Sequence, residues 1–400
     1  MAQSNRLRPF LLAGGAIVLA NVGVVLWLLL QRPSTGQEGG GDRIGRLLDE
    51  RTRSESRFDL ADEPYNICLI SLDALRYDRT GFGGNSRNVT PNLDRLADES
   101  VLFADATSPS AWTLPSHMSI FTGRWPSIHG VVNKLRVVGG DRLERASLSP
   151  AIQTIPEHLE EHGFICGGFT GDAGVSGEFG FSRGFDTYLD DEKFGGLPHS
   201  VPAALSWLEA HRSERFFLFL HGYDVHGQYD LASGYSGRFT PGYQGSMKGG
   251  KDEQAEIRER SLLCYTEEGG PRASDLMSEA DFEYHLGLYD EKVQAADEQV
   301  GRFMDALRRF DLLSRTVVIV LADHGEEFGE HGGLDHGPTL YQEMVHVPLL
   351  IHFPGYSKQL EIGRPVRSMD ALPTVLDALG IPLPGGIDAV SLLPLLRGEP

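Results

Sequence analysis

The chain has 400 residues, too many for one minimal domain and suited to one large α/β domain with smaller attachments. At 40% hydrophobic it can bury a sizeable core, and its 48 glycines point to many loops and close backbone approaches. A net charge of −20 excludes a nucleic-acid binder, which needs a basic surface; the acidity reads mainly as solubility, with some carboxylates left to serve a cation.

Residues 10–30 form an uncharged run of 21 residues whose only strongly polar side chain is Asn21. As a helix this run spans a bilayer core of roughly 30 Å. Arg6 and Arg8 precede it and Arg32 follows, and no small-x-small cleavage site of a signal peptide is evident. The expectation is a single uncleaved transmembrane anchor, with residues 1–9 cytoplasmic and the body extracytoplasmic, either periplasmic or extracellular. Residues 31–64, with GQEGGGD and RTRSESR, read as a tether. Cys68, Cys166 and Cys264 show no paired spacing, so neither a disulfide framework nor a cysteine metal site is expected.

The folded body is expected over residues 65–400. Strand candidates are 66–72 (NICLISL), 164–170, 216–220 (FFLFL), 316–321 (TVVIVL) and 347–353. Most are continuously apolar, as in strands covered on both faces. Helix candidates include 91–99 capped by Thr90, 151–162, and 279–309 capped by Ser278. The last carries an apolar stripe from Phe282 through Leu286, Tyr289 and Val293 to Leu307. Residues 233–278 read as an irregular surface excursion. The predicted fold class is α/β, a large mostly parallel central sheet flanked by helices on both faces. Its active site should lie beyond the carboxyl ends of the strands.

Three of those ends carry one kind of chemistry: Asp73 after the first strand, Asp323-His324 after TVVIVL, and His221, Asp224 and His226 in HGYDVH after FFLFL. A lone Asp there is explained as a cap of the following helix. Three such ends in one sheet, two with histidine beside aspartate, point to a bound cation instead: Mn²⁺ or Zn²⁺ for the mixed set, Ca²⁺ or Mg²⁺ for carboxylates alone. In SAWTLPSHMSIFTG, Thr113 stands before Leu114-Pro115 at a helix opening. It is either a plain N-cap or a nucleophilic hydroxyl placed where unpaired N–H groups favour an anion.

These residues, with NVTPNLDRLADESVLFADATSPSAWTLPSHMSIFTG, PSIHGV, RGFDTY, LADHGEEFGEHG, LDHG and YQEMVHVPLLIHFPG in order, resemble the sulfatase family within the alkaline phosphatase superfamily. The resemblance covers about residues 65–400. It implies that Asp73, Thr113, Asp323 and His324 hold one divalent metal, and that His226 and His336 contact the ester oxygens or protonate the leaving group. Arg76, His117 and Asp224 would then serve substrate binding, and His331 is structural or functional. Relatives usually continue into a small C-terminal subdomain, so one is expected to be missing or shortened after LLPLLRGEP.

Two departures shift the expected chemistry. Family sulfatases carry cysteine or serine at the nucleophile position, oxidised to formylglycine, in a motif ending in arginine; here stand Thr113 and His117. A secondary alcohol cannot be oxidised to an aldehyde, so no formylglycine is expected. The family's second aspartate is Ala74, which moves the ligand set toward Mn²⁺ or Zn²⁺. The expected reaction is displacement by Thr113 on a phosphoric ester, in particular a diester, of a small molecule, glycan or lipid head group. A true sulfuric ester hydrolase, a membrane-anchored phosphoryl-group transferase and a catalytically silent scaffold are the alternatives. A second metal beside Asp224, His226 and His336 is a further option, and the oligomeric state is open.

Overall fold

The computed structural model describes residues 58–138, 142–227, 229 and 237–399. All lie in the second of two compact units, Ser54–Pro400. The expected anchor at residues 10–30 and nearly all of the tether lie outside the described residues. Among the described residues no helix is long and apolar enough to cross a membrane.

Eight strands form the central sheet: β1 (Asn66–Leu72), β2 (Val101–Phe103), β3 (Ile165–Phe169), β4 (Thr187–Leu189), β5 (Phe216–Gly222), β6 (Thr316–Leu321), β7 (Leu349–His352) and β8 (Leu360–Ile362). Their order is β8-β2-β7-β6-β1-β5-β3-β4. Every neighbouring pair is parallel except the two made by β7, which runs against both β6 and β2. The sheet is therefore mixed, with a parallel centre.

The apolar runs are continuous because both faces are covered. On one face Ile67, Leu69, Phe217, Phe219 and Ile319 pack with α2 (Thr113–Thr122), α3 (Ile155–Glu161) and α7 (Ala371–Ala378). On the other, Cys68, Ile70, Leu218, Leu220 and Val318 pack with α1 (Pro91–Ala97), α4 (Leu197–His211) and α6 (Glu279–Arg309). The 31-residue α6 begins as the sequence predicts, with Ser278 and Asp281 in a reciprocal capping box.

Three local expectations change. Thr90 makes no cap of α1: its hydroxyl takes the Gly81 N–H, and the helix start is held instead by Asp297 of α6, which accepts from Asn92 and Leu93 N–H. α3 starts only at Ile155, where Thr154 and Glu157 form the capping box and a proline occupies the first turn. The excursion at 233–278 is not wholly irregular, because α5 (Lys251–Ser261) lies inside it. The three cysteines are free, two of them buried.

Candidate active site

The carboxyl ends of β1, β5 and β6, adjacent in the sheet, converge on the N-terminus of α2. Directly after β1 the chain turns at Ala74, whose φ of +61° places a non-glycine residue in the left-handed region. That turn is pinned from both sides. Ala74 N–H donates to Asp323 Oδ1 at 3.1 Å, and Tyr289 of α6 donates to the Ala74 carbonyl at 2.7 Å while accepting the Arg76 N–H at 2.9 Å. The apolar stripe of α6, read from sequence as core alone, thus also orients Asp73.

Thr113 is the first helical residue of α2 and Trp112 its N-cap, so the plain-cap reading of the threonine does not hold. Its hydroxyl lies 3.3 Å from His324 Nε2. His324 Nδ1 sits 2.9 Å from the Gly325 carbonyl, which can only accept, so the proton is on Nδ1 and Nε2 presents its lone pair. That lone pair is 3.4 Å from Asp323 Oδ2 and 3.7 Å from Asp73 Oδ1. Burial pushes the His324 pKa down, as a neutral ligand needs. Ser116 of α2 donates to the Asp323 carbonyl at 2.7 Å, and Ser108 donates to the same oxygen. The helix carrying Thr113 is thereby fastened to the loop carrying Asp323 and His324.

Asp73 Oδ1 and Asp323 Oδ2 are wholly buried and receive no hydrogen bond. A buried carboxylate oxygen without a donor is expensive unless a cation faces it. Two such oxygens, a bare imidazole nitrogen and a hydroxyl make a donor set that fits one divalent metal. Burial works against the Asp323 charge, but His324 and His117 hold its carboxyl well below the usual range.

Two histidines brace this set from behind. His117 Nδ1 contacts the Thr113 carbonyl at 3.1 Å and lies 3.3 Å from Asp323 Oδ2, with its Nε2 2.8 Å from Ser71 Oγ. His221 Nε2 is 3.2 Å from Asp73 Oδ2. Both rings are fully buried. Sequence reasoning placed His117 at the substrate; the structure places it under the carboxylates, where burial lowers its pKa but Asp323 outweighs burial and raises it.

Thr113 opens onto a cavity of about 240 Å³ that His226, His336, Tyr223, Lys134 and Arg258 also line. His226 and His336 are brought together as expected, ring centroids 4.8 Å apart. His336 Nδ1 is 2.8 Å from Glu326 Oε1 and 2.6 Å from Asp335 Oδ1. Burial opposes its charge, yet those two acids hold its pKa well above the ordinary value.

Three other candidates fall elsewhere. The Arg76 guanidinium is consumed by Asp78, Glu330 and the Glu326 carbonyl. The Asp224 carboxylate accepts the Leu197 N–H at 2.6 Å and so caps α4, and among the described residues it joins no ligand cluster with His226 and His336. His331 pairs with Glu343 at 2.6 Å and stacks on Tyr341.

Sequence reasoning missed Lys134, Tyr223, Glu326, Asp335 and Arg258, and named His221 without giving it a role. Only His221, directly after a buried apolar run, carried a usable signal.

The sulfatase family profile matches residues 65–381. N-acetylglucosamine-6-O-sulfatase of Bacteroides thetaiotaomicron is 22% identical over 84% of this chain and 71% of its own length. Arylsulfatase K of Rattus norvegicus is 23% identical over 85% and 64% respectively, so this chain spans about two thirds of such relatives. The crystal structure of a phosphonate monoester hydrolase from Agrobacterium radiobacter superposes with a TM-score of 0.67, at 20% identity, over 84% of this chain and 78% of that one. With the profile covering most of the folded body, and the polar strand ends meeting where the fold demands, the chain belongs to the sulfatase family.

Proposed function

We propose that the chain hydrolyses monoanionic esters of phosphorus, diesters foremost, by direct attack of the Thr113 hydroxyl, in a site extracytoplasmic to a single anchor at residues 10–30. The observation that carries the chemistry is the Thr113 Oγ1–His324 Nε2 approach at 3.3 Å beside two buried carboxylate oxygens that lack donors. Asp73, Asp323, His324 and Thr113 would hold a divalent metal, Mn²⁺ or Zn²⁺ by the mixed donor set. When bound, it would supply charge neutralisation and a lowered hydroxyl pKa.

The chain's own groups divide the remaining work. Free N–H groups at the start of α2 face the oxyanions of the transferred group. His336, clamped between Glu326 and Asp335, serves as a fixed positive charge rather than a ready proton donor. His226 then protonates the leaving alcohol. Attack by the deprotonated Thr113 oxygen, its proton released to solvent, breaks the bond from phosphorus to the leaving oxygen and leaves a phosphoester of Thr113. In a second step water attacks that phosphorus, gives its proton to His226 and displaces the Thr113 oxygen.

A second reading, sulfuric ester hydrolysis by the same threonine, is favoured by relatives named as sulfatases. The test takes the full chain in detergent, loaded with Mn²⁺ or Zn²⁺, on nitrophenyl sulfate, a nitrophenyl phosphate monoester and a nitrophenyl phosphodiester, beside Thr113→Ala and Thr113→Ser. Phosphodiester turnover lost in the alanine variant and kept in the serine variant supports the proposal. Dominant sulfate turnover moves the assignment to the second reading, and turnover indifferent to Thr113 removes both. Carbonate-resistant membrane retention and protease accessibility of the body in intact cells test the anchor and its side.

A further inference from the structure

We propose that Lys134 reads a second anionic group on the substrate, so that this site prefers esters whose leaving moiety carries its own carboxylate, sulfate or phosphate. The inference rests on the hydrolase reading for the identity of the reacting ester, and on the following geometry for the second charge.

Several cations face the cavity that Thr113 opens onto, and most are already neutralised. His336 sits between Glu326 and Asp335. Arg258 Nε lies 3.0 Å from the other oxygen of Asp335. Lys134 lines the same cavity, and among the described residues it forms no ion pair. Its charged neighbours are Lys193, which lies 5.8 Å over the ring of the cavity-lining Phe194, and Asp172 and Asp73, neither of which forms an ion pair with it. Partial burial and the repulsion of Lys193 push the Lys134 pKa down and outweigh the pull of Asp172 and Asp73, which stand too far away to pair with it.

In a chain of net charge −20, a lysine without an ion pair in the cavity that Thr113 lines runs against the general acidity of the molecule. A cation without an ion-pair partner in a partly desolvated cavity gains from an anionic partner brought by the ligand. Lys134 is also well placed to discriminate. Its carbonyl accepts the Ala146 N–H at 3.0 Å, which fastens the base of the Leu135–Val137 and Leu143–Arg145 hairpin. Lys134 belongs to neither the α2 start nor the strand ends, so it can contact the leaving moiety without being part of the metal set. Trp112, Phe194 and Tyr223 supply aromatic walls in the same cavity, which suit a flat or ring-shaped leaving moiety.

The experiment pairs a 4-nitrophenyl ester with its 3-carboxy-4-nitrophenyl counterpart, both of the acid the wild-type full chain hydrolyses best. Each is assayed with wild type, Lys134→Gln, Lys134→Glu and Lys134→Arg; comparing variants substrate by substrate cancels the difference in leaving-group reactivity. For the carboxylated ester, kcat/KM should fall roughly tenfold in Lys134→Gln, mainly through KM, and further in Lys134→Glu, the size of one charge-assisted contact. Lys134→Arg should recover most of it, and the plain ester should respond far less. Equal losses on both esters, or no loss on either, would overturn the inference.

Binding of the two phosphodiesters to the metal-loaded Thr113→Ala protein, with and without Lys134→Gln, is followed by calorimetry as a separate readout. Tighter binding of the carboxylated ester that disappears with Lys134→Gln supports the role of Lys134 even if wild type turns over neither compound. Absence of turnover would by itself count against the hydrolase reading only. Indistinguishable binding of the two esters would count against Lys134.

Discussion

Two groups of buried aspartates, one on α6 and one at the strand ends, are satisfied in opposite ways. Beneath the α1 and α6 packing, Asp290 takes Arg79 and Arg87, and Asp297 takes two backbone N–H groups and the Asn92 amide. At the strand ends, Asp73 and Asp323 are equally buried, yet each keeps an oxygen that accepts no hydrogen bond, although His117 Nδ1 stands 3.3 Å from that of Asp323. Burial of acid is common to both regions. What separates a structural acid from a ligand is the unanswered lone pair, aimed at a common point with a bare imidazole nitrogen and a hydroxyl.

Substitution should split the two regions most sharply. Asp73→Asn or Asp323→Asn is expected to cut activity by about a thousandfold or more while leaving the melting temperature of the metal-free protein unchanged or higher. Asp290→Ala should do the reverse, costing about 3–5 kcal/mol because Arg79 and Arg87 lose their partner, with activity per folded molecule retained. Denaturant titration and initial rates on the same preparations read both. A large stability loss in Asp323→Asn would erase the distinction.

Metal titration sharpens it further. Mn²⁺ or Zn²⁺ at a hundredfold excess over its dissociation constant should stabilise the wild type by about 2.7 kcal/mol. Differential scanning calorimetry should show no such gain in the Asp73→Asn, Asp323→Asn double variant and an undiminished gain in Asp297→Asn.

The bracing histidines should come next in size. His117→Gln and His221→Gln are expected to weaken metal affinity by roughly 10- to 100-fold with little change in the fold, measured by competition with a chelating dye. Unchanged affinity would make them filler behind the carboxylates rather than positioning groups.

The smallest effect is in pH. Burial raises the Asp297 carboxyl to about 6 against its three donors. The folded state therefore binds this proton more tightly than the unfolded chain, so this group's contribution rises as pH falls from about 7 toward 4 and is lost above about 6. Relative to Asp297→Asn, the wild type should gain on the order of 2 kcal/mol across that window, read by urea unfolding at each pH. A flat difference would mean that the donors cancel burial, and a reversed one that they outweigh it.

Much of the fold and half of the site were readable before any coordinates. The apolar runs at 66–72 and 316–321 mark their strands because both faces are buried, and their polar ends announce Asp73, Asp323 and His324. β7 reads as one more apolar run, but nothing in LLIH distinguishes an antiparallel strand from a parallel one. α5 escaped because KDEQAEIRERS buries only Gln254, Ile257 and Ser261, leaving no apolar stripe to detect. Arg258 was hidden with it, and Lys134 sits on a hairpin whose sequence carries no site signal.

Residue type and local period decided what could be known along the chain: which segments become strands, and which acids and histidines follow them, since burying a charge there demands a reason. The tertiary structure alone decided which of those groups converge. Asp224 and Arg76 look like substrate-binding groups in sequence, yet one caps α4 and the other is locked to Asp78 and Glu330. His117, four residues from Thr113, turns beneath Asp323 instead of toward the substrate. Direction in space follows from packing between elements distant in sequence, and a one-dimensional pattern holds no record of it.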